Sequence, residues 1–453
     1  MYDVIVIGAG PAGVNAAIEA DNLGYSVLII DEQGSAGGQV WRNKSSSIID
    51  APKTETSIKG NALRDALMSS NVSVKYEARV WHIEKCDTIW NIHVENDVLT
   101  SKNLIIATGA YERIIPIPGW TLPGVIGLAG ATALFKEHMM VPGHKTVVAG
   151  SGPLLFYVAN EIERLGGTVE AIVSLNSRFD WLKSLLIMIT QPILLWQGFK
   201  WVTAFYKKTI WQSAPIKFEG ADHIELVKIK KVDDDWKPIG KEQILEADSV
   251  CYGQGLIPAI EASRLAGAEH HYDETLGGWV PTIDDMGRTS IEGLFVCGDN
   301  AGILGALAAP IRGKNAAQAI NKNGVVYDIG KFERFGKAMT ALSIPRAGLL
   351  NLIDTDTDVC RCEGVTRKEI EHEIITGAQS PNAIKSGTRC GMGPCGGRFC
   401  ADAQAMINEH VTGKTREDIG LPTARPPLRP MPMDQITEEL NYDDLPIPGV
   451  SPL

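Results

Sequence analysis

Hydrophobic positions in this chain fall into short runs, each closed by glycine or an acid. Val4-Ile5-Val6-Ile7 is a β-branched run that stops at Gly8, after which Ala16, Ala17 and Ala20 recur at helical spacing. The pattern predicts a strand, a tight turn and a helix. Residues 26–30 form a second predicted strand, which stops at Asp31-Glu32 and completes a βαβ unit, and the apolar run 104–107 stops at Thr108-Gly109. The alternation restarts at Lys145, with a strand at 146–149, a turn at Gly150-Ser151-Gly152-Pro153, a helix through Ala159 and Ile162, and a strand at 169–174. Strand and glycine punctuation return from Ser249 and reach Leu294-Phe295-Val296-Cys297-Gly298-Asp299.

Two strand-turn-helix units of this kind predict an α/β fold with two dinucleotide-binding domains, the first split around the second. The expected segments are 1–112 and 248–330 for the split domain, 113–247 for the insert, 340–412 for a cysteine-bearing module and 413–453 for an extended arm. Within the insert, 181–206 is unusually apolar, with Trp181, Leu185, Leu186, Ile187, Met188, Ile189, Ile193, Trp196, Phe199 and Trp201 broken by Lys183, Gln191, Pro192 and Lys200. Its uninterrupted stretches are shorter than the about 20 residues that span a bilayer. It reads either as a core helix pair or as a hairpin that docks on a partner or a membrane face. The arm carries Arg425-Pro426-Pro427-Leu428-Arg429-Pro430, an extended composition.

Composition is that of a globular protein: 453 residues, 44% hydrophobic and 21% charged. A net charge of -11 with no long basic run argues against a general nucleic-acid or anionic-membrane surface. The start Met1-Tyr2-Asp3 enters a strand directly, without a charged n-region or signal-type apolar stretch, so the cytoplasm is the expected compartment. The eight cysteines are uneven. Cys86, Cys251 and Cys297 are isolated, whereas Cys360, Cys362, Cys390, Cys395 and Cys400 are crowded together. In a reducing compartment that crowding points to a metal or redox site.

Gly8-Ala9-Gly10-Pro11-Ala12-Gly13 lies between a strand and a helix, the context in which glycines let a pyrophosphate approach a helix N-terminus. Glu32 is the preferred ribose acid, and Asp31 the less favoured one. The second motif, Gly150 to Leu155, has leucine where a third small residue belongs, and its following strand ends near Ser174 and Asn176 rather than at an acid. NAD(P), another nucleotide or a degenerate empty site all remain open there. No Cys-x-x-Cys lies near the first motif, which argues against a disulfide reductase, and the isolated cysteines read as core residues. His138, His144, His270 and His271 offer no general acid or base. Clustered thiolates with glycine-rich loops suit an iron-sulfur cluster or, alternatively, zinc.

Several motifs carry a resemblance. Thr289, Gly293, Gly298 and Asp299 are spaced as in the late flavin-binding motif of the two-dinucleotide, glutathione-reductase-like flavoproteins. Ala107-Thr108-Gly109 resembles the middle signature of that family, and Gly37-Gly38-Gln39 its flavin-facing loop. The resemblance implies FAD, with Asp299 on the ribityl chain. The cysteine segment resembles the mainly helical [2Fe-2S] module of bacterioferritin-associated ferredoxin. Relatives with Gly-Met-Gly-x-Cys-x-Gly-x-x-Cys imply Cys360, Cys362, Cys395 and Cys400 as ligands, with Cys390 as alternate; Gly396 departs from their usual glutamine.

Taken whole, the chain is similar to the alpha subunits of opine oxidases and to those of hydrogen cyanide synthase and the proline and hydroxyproline dehydrogenases. That resemblance implies an electron-transfer subunit beside a D-amino-acid-oxidase-like beta subunit. It leaves places for a ferredoxin-like gamma subunit, FMN at an interface between subunits, and an acceptor that is quinone-linked or at the inner-membrane periphery. Trp41-Arg42 is the stretch expected to face a partner's cofactor. The runner-up is a self-contained NAD(P)H-dependent flavin oxidoreductase, and the third reading a scaffold that stores or delivers metal.

Overall fold

A computed structural model describes residues 1–433 except 189, 190 and 322; the side chains of 185–188, 193 and 197 also lie outside the description. The predicted apolar positions Leu185 to Ile189 and Ile193, and the arm beyond 433, therefore fall outside the described residues. The first sheet grows from β1 (Tyr2–Ile7), whose partners are β2 (Val27–Ile30) and β6 (Asp97–Ile106), both parallel to it. These runs are apolar on both faces because α1 (Pro11–Asn22) covers one side and a β-hairpin the other. The hairpin is β4 (Val80–Cys86) and β5 (Ile89–Val94), and β3 (Ser73–Lys75) lies beyond β2. The long β6 is shared. Its first half pairs with β5 and its last residues pair with Leu294–Val296, which returns the chain to this sheet. Helix α2 (Glu55–Met68) begins in a capping box formed by Thr54 and Ser57.

The passage between domains is a two-stranded ladder, β7 (Ala110–Glu112) against β16 (Leu256–Pro258). Between them lies the second parallel sheet, ordered β11-β10-β9-β15-β8: Thr209–Trp211, Thr168–Ser174, Lys145–Gly150, Ser249–Gly253 and Val125–Gly127. The strand Ser249–Gly253 is bonded to β9, so the inserted domain runs past the expected boundary at 247. The short continuous apolar run there gave no cue to which sheet it would join. A three-stranded antiparallel sheet, β12 to β14 (Ser213–Glu219, Leu226–Val232, Pro238–Glu246), follows the second unit.

Helices α3 (Leu128–Ala133) and α4 (Leu154–Arg164) pack on the second sheet. The apolar segment forms α5 (Arg178–Met188) and α6 (Pro192–Ala204). Trp181 and Trp201 rest on Phe156 and Tyr157 of α4, whereas Phe179, Leu182, Trp196 and Phe199 are exposed. The hairpin is therefore half core and half surface. No helix among the described residues is long and apolar enough to cross a membrane.

Beyond helix Gly330–Ala341 the module containing the five cysteines is built from helices Arg367–Ile375, Pro381–Thr388, Ala401–Thr412 and Arg416–Ile419. The described part of the arm crosses the surface. The Leu428 amide donates to the Trp81 carbonyl at 2.8 Å, and Arg429 reaches Glu32.

Candidate functional site

Gly8 ends β1 at φ +103, and its carbonyl lies where a Cβ on Gly13 would have to sit. Only glycine at both positions lets α1 start flush against β1. No side chain caps α1, and Pro11 occupies its first turn, so its leading amides point into the cradle ready for an anion. Ala12 faces Gly298 so closely that a Cβ on Gly298 would meet the Ala12 methyl at 2.9 Å, and Gly38 lies over the Gly10 Cα. The expected residues Gly8, Gly10, Pro11, Ala12, Gly13, Gly38, Ala107 and Gly298 are thus brought together around one turn.

The two acids have different partners. Asp31, the first residue past β2, accepts from the Ala9 and Gln33 amides, and burial pushes its carboxyl above the usual range despite those donors. Successive side chains leave a strand on opposite sides, so Glu32 turns outward and accepts from Arg429 at 3.1 Å. Asp31 is therefore the acid on the glycine loop. Thr108 Oγ1 donates to the Ala259 carbonyl at 2.9 Å, fixing the Thr108-Gly109 end of β6. Asp299 is half-buried and accepts from the Leu304 and Gly305 amides, and desolvation raises its carboxyl despite those donors. Its neighbour Asn300, which no sequence motif singled out, is fully buried and its Oδ1 lacks a partner. A buried orphan acceptor beside Gly298 fits a donor on a bound group. Gln39 accepts from Arg42, whose guanidinium also pairs with Glu137 at 2.5 Å. Arg42 thereby ties the loop to the second domain rather than facing outward.

The second cradle is filled by the chain itself. Asn176 Oδ1 accepts from the Gly152 amide at 2.9 Å, and its Nδ2 donates to the Leu342 carbonyl at 2.8 Å. Ser343 packs where Cβ atoms on Gly152 and Gly255 would collide with it. Those glycines follow β9 and β15, the adjacent strands at which the order of the parallel sheet reverses and where a dinucleotide crosses. Arg346 fastens the segment through Asp180 and the Asp234 carbonyl, both at 2.7 Å. As built, this crevice does not fit NAD(P).

All five clustered cysteines lie at one end of the last module. The Cys360, Cys390 and Cys400 sulfurs lie within 4.8 Å of one another and are buried. Cys390 and Cys400 donate towards Cys360, as do the Gly391 and Glu363 amides, which favours a thiolate at Cys360. Cys362 and Cys395 are hydrogen-bonded to each other on the outer side, and a Cβ on Gly393 would collide with Cys362. Cys390, expected as a neighbour or alternate ligand, is one of the three closest thiols. The set is all sulfur, the donor chemistry of a [2Fe-2S] centre.

The module docks on the interdomain ladder. Arg398, between Cys395 and Cys400, donates to the Tyr111 hydroxyl at 3.2 Å and to the Leu428 carbonyl at 2.8 Å. Arg113 donates to Asp402 at 3.0 Å. Tyr111 and Arg113 lie just beyond the Thr108-Gly109 signature, so the cysteine module contacts the strand that leaves the first cradle. Elsewhere, burial pushes the Cys297 thiol up to about 12 and raises Cys251 further, which fits unreactive core thiols. Desolvation pulls His270 down to about 4, and this half-buried ring bonds Ser263 and the Ala268 carbonyl in a structural role.

Residues 2–322 match the pyridine nucleotide-disulphide oxidoreductase family, and residues 359–409 match the BFD-like [2Fe-2S] binding domain. The chain is 31% identical to the A-type subunit of opine oxidase from Agrobacterium tumefaciens (strain Ach5), over 96% of this chain and 91% of the relative. The chain belongs to the pyridine nucleotide-disulphide oxidoreductases and, within them, to the A-type subunits of the opine oxidases. This oxidoreductase is also 28% identical to the HcnB subunit of hydrogen cyanide synthase from Pseudomonas protegens, over 94% of this chain and 96% of that one. The crystal structure of L-proline dehydrogenase from P. horikoshii shares its fold, with a TM-score of 0.73 at 23% identity, over 96% of this chain and 79% of that one. Membership implies FAD for the oxidoreductase fold and a [2Fe-2S] cluster for the cysteine module.

Proposed function

We propose that this oxidoreductase is the electron-transfer subunit of a heteromeric opine or amino-acid dehydrogenase, in which a D-amino-acid-oxidase-like partner oxidises the substrate C–N bond. FAD accepts an electron pair and releases electrons singly, and a [2Fe-2S] centre carries one at a time. The first cradle would hold FAD through the α1 amides, Asp31, Thr108-Gly109, Gly298 and Asp299. Cys360, Cys362, Cys395 and Cys400 would hold the cluster, with Cys390 packed behind Cys360 and Cys400. Arg398 and Arg113 keep the module against the ladder next to the first cradle.

The observation that carries this reading is Ser343 in the second crevice. The segment leading into the cluster module packs on the glycine turn where the pyrophosphate of a nicotinamide nucleotide would approach, which favours a partner chain as the source of electrons. This counts against the self-contained NAD(P)H oxidoreductase. The exposed Leu182, Trp196 and Phe199, set among Lys183, Lys200 and Lys207, support a peripheral contact of the α5–α6 hairpin with an anionic membrane face. Copurification from the native host tests the proposal: a companion flavoprotein should accompany the chain, and the isolated chain should oxidise no opine or amino acid. Robust substrate oxidation by the single chain would overturn it.

A further inference from the structure

We propose that His82, Glu84 and His93 form a separate binding site for one divalent transition-metal ion, with zinc as the natural occupant, on the outer hairpin of the first sheet. The site follows from register. His82 and His93 are cross-strand partners in the β4–β5 ladder, and Glu84 stands two residues along from His82 on the same face. Glu84 then lies between the two imidazoles. Its Oε1 is 3.2 Å from His93 Nε2, and its Oε2 is 3.7 Å from His82 Nε2. One ligand atom from each residue falls within 4.8 Å of the others.

Tetrahedral zinc with bonds of about 2.0–2.1 Å needs ligand atoms about 3.3–3.4 Å apart. The His93–Oε1 distance matches that scale. The His82 contact is longer and made to the other carboxylate oxygen, so the three ligand atoms, all within 4.8 Å of one another, must draw together by a modest shift of the carboxylate or a ring to enclose an ion. The rings are favourably disposed, with centroids 5.0 Å apart and planes at 35°. An ordinary surface ion pair would need only one of these imidazoles, because two protonated rings beside one carboxylate repel each other. Two neutral rings offering lone pairs to a cation remove that conflict. His82 Nδ1 is buried without a partner, so no hydrogen bond holds this ring by its other nitrogen.

Two nitrogens and a carboxylate form a borderline donor set that suits zinc, copper(II) or nickel and leaves a position for water. The all-sulfur set at Cys360 is chemically distinct. Trp81 stacks beside His82 and packs against His93, and its carbonyl receives the Leu428 amide. An ion here would brace the hairpin on which the C-terminal arm rests.

The test uses the full-length chain with its cluster assembled, titrated with zinc against a chromophoric indicator. One zinc per chain should bind in addition to the cluster. His82→Gln and His93→Gln should each weaken it by at least about tenfold, since even outer-shell partners are worth that much. Cobalt(II) substitution should give visible bands without the intense thiolate charge-transfer absorption. Zinc binding unaltered in both variants, a cobalt spectrum of thiolate type, or no zinc bound beyond the cluster in excess metal would each overturn the site.

Discussion

Arg113, one residue past the interdomain strand, donates to Asp402 of the cluster module at 3.0 Å, with Arg113 buried and Asp402 largely so. Arg416 approaches the other oxygen of the same carboxylate at 3.2 Å. Breaking a buried pair strands a charge, which typically costs about 3–5 kcal/mol. Asp402 would keep Arg416, so Arg113→Met should destabilise towards the low end of that range. Differential scanning calorimetry should show the cluster module melting earlier than the flavin domain in the variant. A single unchanged transition would contradict the role assigned to this pair.

Acid should loosen the same joint. Burial alone would raise the Asp402 carboxyl, but Arg113 and Arg416 outweigh it and hold the group below the usual carboxylate range. A depressed folded pKa contributes stability that is present above the unfolded value of about 3.9 and lost as pH falls through the folded one. Thermal midpoints should therefore fall below about pH 4. Asp402→Asn should start lower at neutral pH and show a smaller further drop.

The cysteine assignment separates by substitution. Cys362→Ser and Cys395→Ser should abolish or shift the EPR signal of the reduced [2Fe-2S] centre, whereas Cys390→Ser should retain it. Loss of the signal in Cys390→Ser with retention in Cys362→Ser would exchange those two residues in the ligand set.

The exposed face of the α5–α6 hairpin predicts binding to lipid. Trp196 and Phe199 are stacked, with ring centroids 6.0 Å apart, and both are more than half exposed. The protein should co-sediment with vesicles containing anionic phospholipid and detach at high salt. The W196S/F199S double variant should stay in solution. Equal binding to neutral vesicles would remove the electrostatic part of this reading.

What could be read from the sequence was what the chain encodes locally. The Gly8 to Gly13 turn, the Thr108-Gly109 and Gly298-Asp299 signatures and the cysteine segment each combine a strand or loop with residues a few positions away. The choice between Asp31 and Glu32 depended on where β2 ends, and a shift of one residue exchanges the two faces. Long-range partners were not legible. Arg113 and Asp402 are 289 residues apart, and neither lies in a motif. Ser343 lies at the start of the stretch assigned to the cysteine-bearing module, in no motif, and only folding brings it onto Gly152 and Gly255. The cue that was available, the missing acid after 169–174, proved to mark a crevice closed by Asn176 and Leu342.

In the proposed role, electrons enter this chain from a partner and not from a nicotinamide nucleotide. Anaerobic stopped-flow mixing of the FAD- and cluster-loaded chain with NADH and with NADPH tests that route most directly. With Ser343 and Leu342 in the second crevice, flavin absorbance should stay unbleached over the turnover time with either nucleotide. Rapid bleaching of the flavin followed by reduction of the cluster would contradict it.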